Sequence, residues 1–172
     1  VLVPEIALTG QIVRRFMRRF GDDVVVMHSQ LSQGEKRNNW LRMQNGTSHI
    51  CIGARSAVFT AAQSIGLFIV DEAHDSSYKQ DEAPRYHAVA VARQRAAYYG
   101  CPVILGSATP ALGDYYKALQ GDYVLVELTE RVGQRPLPSV QVVDMRDALA
   151  RGTYRVVSAC LLTLLEVTLA AR

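Results

Sequence analysis

The chain has 172 residues, enough for a domain with a hydrophobic core, and its 49% hydrophobic and 20% charged content excludes a disordered or low-complexity protein. No apolar run is long enough to span a bilayer, which excludes a transmembrane helix, and no membrane partner is expected. The net charge of +3 permits contact with a polyanion without demanding it. Val1–Val3 reads as a strand, and Leu8–Phe20 as a helix with Leu8, Ile12, Phe16 and Phe20 spaced at i, i+4. Gly21-Asp22-Asp23 turns into a strand at Val24–Met27. Ser32-Gln33-Gly34-Glu35 matches a capping box and opens a helix to about Gln44. Asn45-Gly46 is a turn, and Ile50-Cys51-Ile52 a short buried strand. Leu67–Val70 is a fourth strand, followed by a polar loop over Asp75–Pro84. Tyr86–Tyr99 is an Ala-rich helix stopped by Gly100. Strand Pro102–Leu105, helix Ala111–Leu119 and strand Tyr123–Leu128 follow. Strands alternating with helices predict βαβ units and a parallel sheet. Arg131–Pro138 reads as a linker, and strand Val140–Val143 and a helix near Ser158–Ala171 begin another unit.

Cys51, Cys101 and Cys160 lie about fifty residues apart, with no C-x-x-C spacing. That argues against zinc ligands in this chain and for a reduced, cytosolic setting. Val1 starts inside a strand and Arg172 ends a helical stretch without a stop signal, so the chain reads as an internal piece of a longer protein. The arginines Arg14, Arg15, Arg18 and Arg19 read as a solvated helix face, a phosphate contact or a contact with another domain, and Trp40 reads as core.

The chemistry concentrates at Asp71-Glu72-Ala73-His74, placed where the apolar run Leu67–Val70 ends. Ligands of open α/β sheets collect at the carboxyl ends of the strands. An Asp at such an end can hold Mg²⁺ on a nucleotide, and the next Glu can orient the attacking water. Gly106-Ser107-Ala108-Thr109-Pro110 adds two hydroxyls on a second loop after a strand. His74 can reach the phosphates or the Ser107 loop, or serve as a plain turn or cap residue. Ser107 and Thr109 also fit an ordinary strand-to-helix turn, with Thr109 as N-cap and Pro110 at the first helical position. Together the two loops describe a helicase-type ATPase. In the loop after the box, Tyr78, Lys79, Arg85 and Tyr86 combine ring faces with positive charge, as stacking sites for single-stranded nucleic acid do. The alternative leaves Tyr78 on the surface and packs Tyr86 under the following helix.

Four stretches carry a specific resemblance: V-L-V-P-E-I-A-L-T at Val1–Thr9, I-G-A-R-S-A-V-F at Ile52–Phe59, D-E-A-H-D-S-S-Y-K-Q-D-E-A-P-R-Y-H at Asp71–His87, and L-G-S-A-T-P from Leu105. The chain resembles the replication-restart primosomal helicases, superfamily 2 DNA helicases of the DEAH type, over nearly its whole length. The resemblance implies a RecA-like parallel sheet flanked by helices. Residues 1–130 would be an incomplete first helicase lobe, 131–139 the link, and 140–172 the start of the second lobe. It implies ATP and Mg²⁺ as cofactors, with Asp71 on the metal, Glu72 on the water, and His74, Ser107 and Thr109 coupling the site to movement. It assigns Thr9, Arg55 and Ser56 to the DNA backbone, and Tyr78, Lys79, Arg85 and Tyr86 to an aromatic-rich loop coupling DNA binding to hydrolysis. The implied partners are forked or single-stranded DNA, single-stranded-DNA-binding protein and other primosome proteins, in the bacterial cytoplasm.

The chain departs from that pattern in several places. No G-x-x-x-x-G-K-[ST] phosphate loop occurs in it, nor the family's zinc-binding cysteine cluster, arginine finger or N-terminal DNA-binding domain. Gly10 stands where the family usually has Pro, and Ala73 where many members have Glu. Two other readings therefore stand beside the helicase: an ATPase-inactive DNA-binding or scaffold relative, and a DEAH-type helicase acting on RNA or branched DNA.

Overall fold

A computed structural model describes residues 1–4, 10–130, 139–150 and 156–170, with 147–149 described by backbone alone. Its compact units are Val1–Leu125 and Val126–Arg172.

In the first unit, β1 (Val24–Met27) runs parallel to β2 (Ile50–Gly53), with Val24 opposite Ile50 and Met27 opposite Gly53. β3 (Phe68–Val70) runs parallel to β4 (Val103–Leu105), with Phe68 opposite Val103 and Val70 opposite Leu105. Residues 1–3 stitch the two pairs together. Val3 N–H donates to Gly53 O (3.0 Å) and Gly53 N–H to Val1 O (3.0 Å) on one side. Leu2 N–H donates to Ile69 O (2.7 Å) and Asp71 N–H to Leu2 O (2.9 Å) on the other. The predicted strand at Val1–Val3 is thus the seam of the sheet, and its neighbours align the carboxyl ends of β2 and β3.

Successive strand residues point to opposite faces, and the core divides accordingly. Leu2 joins Val58, Phe68, Val70, Tyr78 and the buried face of α3 (Ala88–Tyr99), while Val3 joins Val24 and Ile52 with Phe16 of α1 (Gly10–Phe20) against them. On α3 the buried residues Ala88, Ala92 and Ala96 recur every fourth position, and their small size brings the helix close to the sheet. Gly100 closes α3 in the left-handed region (φ 65°), as a helix C-cap glycine does. The predicted capping box opens α2 (Gln33–Gln44): Ser32 N–H donates to Glu35 Oε2 (2.9 Å) and Glu35 N–H to Ser32 Oγ (3.3 Å).

Gly53 sits where three chain segments meet. A Cβ there would lie 2.3 Å from Met27 O and 2.5 Å from Ala57 Cβ. Gly53→Ala is expected to destabilise the protein by about 1–3 kcal/mol through overpacking. A thermal melt superimposing on wild type would contradict this close approach.

Four expectations fail here. Tyr123–Leu128 and Val140–Val143 form no strands, and Leu128 and Val142 are 94% and 92% exposed. A strand needs a neighbouring backbone to pair with, and none of the described residues offers one to either segment. Trp40 is not core: α2 is polar on most sides, with Met43 as its buried residue, and Trp40 is 40% exposed. Thr109 is not an N-cap, because α4 (Leu112–Leu119) begins three residues later and is preceded by Ala111. In the second unit, the helix expected near Ser158–Ala171 is present as α6 (Ala159–Ala170). A short α5 (Met145–Ala150) precedes it, where Asp144 accepts the Arg146 N–H (2.9 Å). The linker 131–138 lies outside the described residues.

Candidate functional site

The apolar strand β3 carries the chain to Asp71, which is half-buried. Asp71 Oδ1 accepts the Glu72 N–H (3.1 Å). Glu72 has φ 45°, the one positive φ among the described residues other than glycine. A bulky residue in this region is uncommon and needs its surroundings to hold it there. Those surroundings are explicit. Gly106 N–H donates to Val70 O (2.8 Å), Ala73 N–H to Gly106 O (2.9 Å), and Asp75 N–H to Glu72 O (2.8 Å). The backbone of the acidic box is thereby locked to the end of β4.

Side chains complete the link. His74 Nδ1 lies 2.7 Å from Ser107 Oγ, and its Nε2 lies 3.3 Å from Thr109 Oγ1. Thr109 N–H donates to Ser107 Oγ (3.0 Å), which shapes this loop around the imidazole. Glu72 Oε2 is 3.5 Å from His74 Nδ1. Both side chains are partly exposed, so water weakens that pairing. Glu72, His74, Ser107 and Thr109 thus converge at the carboxyl ends of β3 and β4, although 33 residues separate His74 from Ser107.

The loop after the box is built from within. Asp75 accepts the Ser77 N–H (2.8 Å) and starts the 3-10 turn Ser76–Tyr78, and hydrogen bonding from the Ser77 side chain, then from its backbone, holds the Asp75 carboxyl below its ordinary pKa. Tyr78 is 0% exposed and packs in the core with Leu2, Val58, Val70 and Ala88. Its hydroxyl donates to Asp71 O (2.6 Å). Burial, then Asp71, Asp75 and Glu72, push the phenol well above its ordinary pKa, so it remains a donor through the neutral range. The expectation that Tyr78 stacks on a base is corrected: its ring is enclosed by protein. Tyr86 is half-buried and meets Phe59 edge-on at 4.8 Å. Lys79 and Arg85 are exposed, with Lys79 Nζ donating to Arg85 O (3.0 Å). Lys79 and His87 form an antiparallel bridge, so 79–87 is a closed excursion from the fold.

Arg55 and Ser56 sit on the 3-10 turn after β2, Ser56 exposed and Arg55 half-buried. Arg55 Nη1 donates to Ser77 O (3.2 Å) and Lys79 O (2.6 Å). Sequence reasoning missed this bond and the one from Tyr78 to Asp71, for neither periodicity nor motif spacing signals a side-chain bond to a loop carbonyl. Thr9 lies outside the described residues.

A parallel sheet with flanking helices, an acidic box ending one strand and a Ser-Ala-Thr loop ending its neighbour define a partial RecA-like helicase domain. The DEAD/DEAH box helicase family matches residues 1–117, and the chain belongs to that family. Curated relatives then narrow the likeness. The chain is 50% identical to the replication restart protein PriA of Bacillus subtilis (strain 168), over 99% of this chain and 21% of that protein. It is 49% identical to the replication restart protein PriA of Synechocystis, over 96% of this chain and 20% of that protein. For the protein of that name from Treponema pallidum the identity is 45%, over 88% and 23%. The resemblance to replication-restart helicases is borne out, and the chain spans about a fifth of the length of these relatives.

Proposed function

We propose that this chain supplies the water-activating half of the motor of a DNA helicase that restarts stalled replication forks. One observation carries the reading: the box Asp71–His74 is locked, through backbone and His74, to the Ser107–Thr109 loop on the neighbouring strand. Residues 1–130 are read as the first helicase lobe, 131–139 as its link, and 140–172 as the start of the second.

Mg²⁺ neutralises nucleotide phosphates and fits this site through one carboxylate. Asp71 has one oxygen bonded to the Glu72 N–H and the other turned to no protein donor among the described residues. No group of three or more His, Cys, Asp or Glu side chains gathers among the described residues, and a Mg²⁺ shared with water and phosphate needs none. In this reading Asp71 takes the metal and Glu72 orients the water that attacks the γ-phosphate of ATP. His74 then reports the state of that site to Ser107 and Thr109. Zinc is assigned to parts of the protein outside this chain.

The DNA reading rests on Thr9, which lies outside the described residues, and on Arg55, Ser56, Lys79, Arg85 and the half-buried Tyr86. Forked or single-stranded DNA, single-stranded-DNA-binding protein and primosome proteins are the proposed partners, and the bacterial cytoplasm the proposed location. No helix among the described residues is long and apolar enough to cross a membrane.

The full-length protein is expected to hydrolyse ATP when single-stranded or forked DNA is added, and to unwind duplex DNA with 3′→5′ polarity. DNA binding without ATP turnover would favour the scaffold reading, and stimulation by RNA alone the third reading. This chain by itself, which contains no phosphate loop, is expected to release no phosphate from ATP with Mg²⁺ and single-stranded DNA. Turnover abolished by Glu72→Gln would refute that expectation. Lys79→Ala and Arg85→Ala should each flatten the salt dependence of DNA affinity, by about 0.7–0.9 in the log–log slope for every phosphate that is no longer neutralised. An unchanged slope would place both side chains off the DNA path.

A further inference from the structure

Arg55 and Tyr78 connect two places that the chain keeps far apart. Arg55 stands at the carboxyl end of β2, and its Nη1 holds the carbonyls of Ser77 and Lys79. Those two carbonyls flank Tyr78. From the buried ring between them, the Tyr78 hydroxyl reaches Asp71 O at 2.6 Å. That carbonyl belongs to the peptide leading into Glu72, the residue with φ 45°. Rotating this peptide would swing the Glu72 carboxylate, so whatever fixes the carbonyl fixes the aim of Glu72. Asp71 Oδ1 accepts the N–H of this same peptide (3.1 Å), and the remaining bonds hold Asp71 N–H, the peptides after Glu72 or the end of β4. Among the described residues, Tyr78 is the side chain that holds the carbonyl of this peptide.

We propose that Arg55 and Tyr78 form a positioning clamp, in which Arg55 seats the Ser76–Lys79 loop and the Tyr78 hydroxyl sets the backbone that aims Glu72. Neither is assigned a contact with the nucleotide, so both are positioning residues, and the assignment rests on the reading of Asp71 and Glu72 as the hydrolytic pair. Arg55 is half-buried and so keeps some access to solvent. A guanidinium carries five N–H donors in a planar fork, and the two bonds to Ser77 and Lys79 use one nitrogen. Among the described residues nothing else bonds to it, which leaves the remaining edge open to a phosphodiester. A phosphate held there fixes a fork already bonded on both sides of Tyr78, and so bears on the seating of Asp71 and Glu72. The clamp is therefore a short physical route from a DNA phosphate to the attacking water.

The test uses the full-length protein, with ATP turnover measured over a range of ATP and single-stranded DNA concentrations, well below the melting temperature. Tyr78→Phe keeps the ring and removes the hydroxyl alone. It is expected to lower kcat by about 10- to 100-fold, the scale of a slightly misplaced reacting group, with KM for ATP little changed. Arg55→Ala is expected to lower kcat even at saturating DNA. Arg55→Lys, which keeps the charge but loses the planar fork, should restore DNA affinity without restoring kcat. If the two residues act in one route, Arg55→Ala combined with Tyr78→Phe should be little worse than the worse single variant. A wild-type kcat in Tyr78→Phe with only a lower melting temperature would overturn the clamp. So would full recovery of Arg55→Ala at high DNA, or losses that multiply in the double variant. Glu72→Gln is run alongside: wild-type turnover there defeats the hydrolytic reading itself, whereas its inactivity with an unaffected Tyr78→Phe defeats the clamp alone.

Discussion

Glu72→Gln in the full-length protein is expected to cost about 10²–10⁴-fold in ATP turnover, the range attributed to a positioned general base, while ATP binding survives. The amide nearly matches the carboxylate in shape but is a poor base. The side chain is partly exposed and lies 3.5 Å from the nearest imidazole nitrogen of His74, so the substitution removes little packing. Its backbone is held by bonds that the new side chain leaves in place, among them Asp75 N–H to Glu72 O and Tyr78 Oη to Asp71 O. The loss should therefore appear in kcat, with KM for ATP nearly unchanged. Asp71→Asn should differ by weakening Mg²⁺-dependent nucleotide binding as well. Steady-state turnover and nucleotide binding measured on both variants decide the matter, and wild-type turnover in Glu72→Gln would remove Glu72 from the role of base.

Tyr78→Ala carries the largest expected effect on stability. Truncating a fully buried aromatic ring typically costs about 3–5 kcal/mol, and here the hydroxyl bond to Asp71 O goes with it. The melting temperature should fall, and basal and DNA-stimulated turnover should fall together, because the ring lies beneath the acidic box. Tyr86→Ala should be milder. That ring is half-buried, and its edge-on contact with Phe59 is worth about 0.5–1.5 kcal/mol beyond area burial. Of the two tyrosines, Tyr86 is the one with surface to offer a base. Calorimetry and turnover on the same variants separate the cases. A Tyr78→Ala protein with wild-type melting and a selective loss of DNA stimulation would put that ring on the DNA path after all.

The local code was legible wherever a short segment carries its own physics. The Ser32–Glu35 capping box, the Gly100 stop and the apolar run into Asp71 each specify an element without help from distant residues. The two-loop constellation could be read for the same reason: both loops follow strands of a parallel sheet, whose carboxyl ends share one edge. His74 reaching Ser107 is a consequence of that layout.

Three things waited for the tertiary structure. Val1–Val3 became the seam of the sheet because both β2 and β3 had a free backbone edge toward it, which no local pattern records. Tyr123–Leu128 and Val140–Val143 have strand-forming sequences, yet a strand is a pairing, and no described backbone pairs with them. Tyr78, which both readings of the loop left accessible, is enclosed, and Tyr86 is half-buried against the same core. Both lie in a polar stretch of the same composition, and only the turn Ser76–Tyr78, seated by Asp75 and Arg55, drives the first ring inward. By itself the sequence determined the class of protein, because motif chemistry depends on residue type and spacing. Which side chains touch the solvent, the sheet or the acidic box was decided by packing, because burial depends on contacts among residues far apart along the chain.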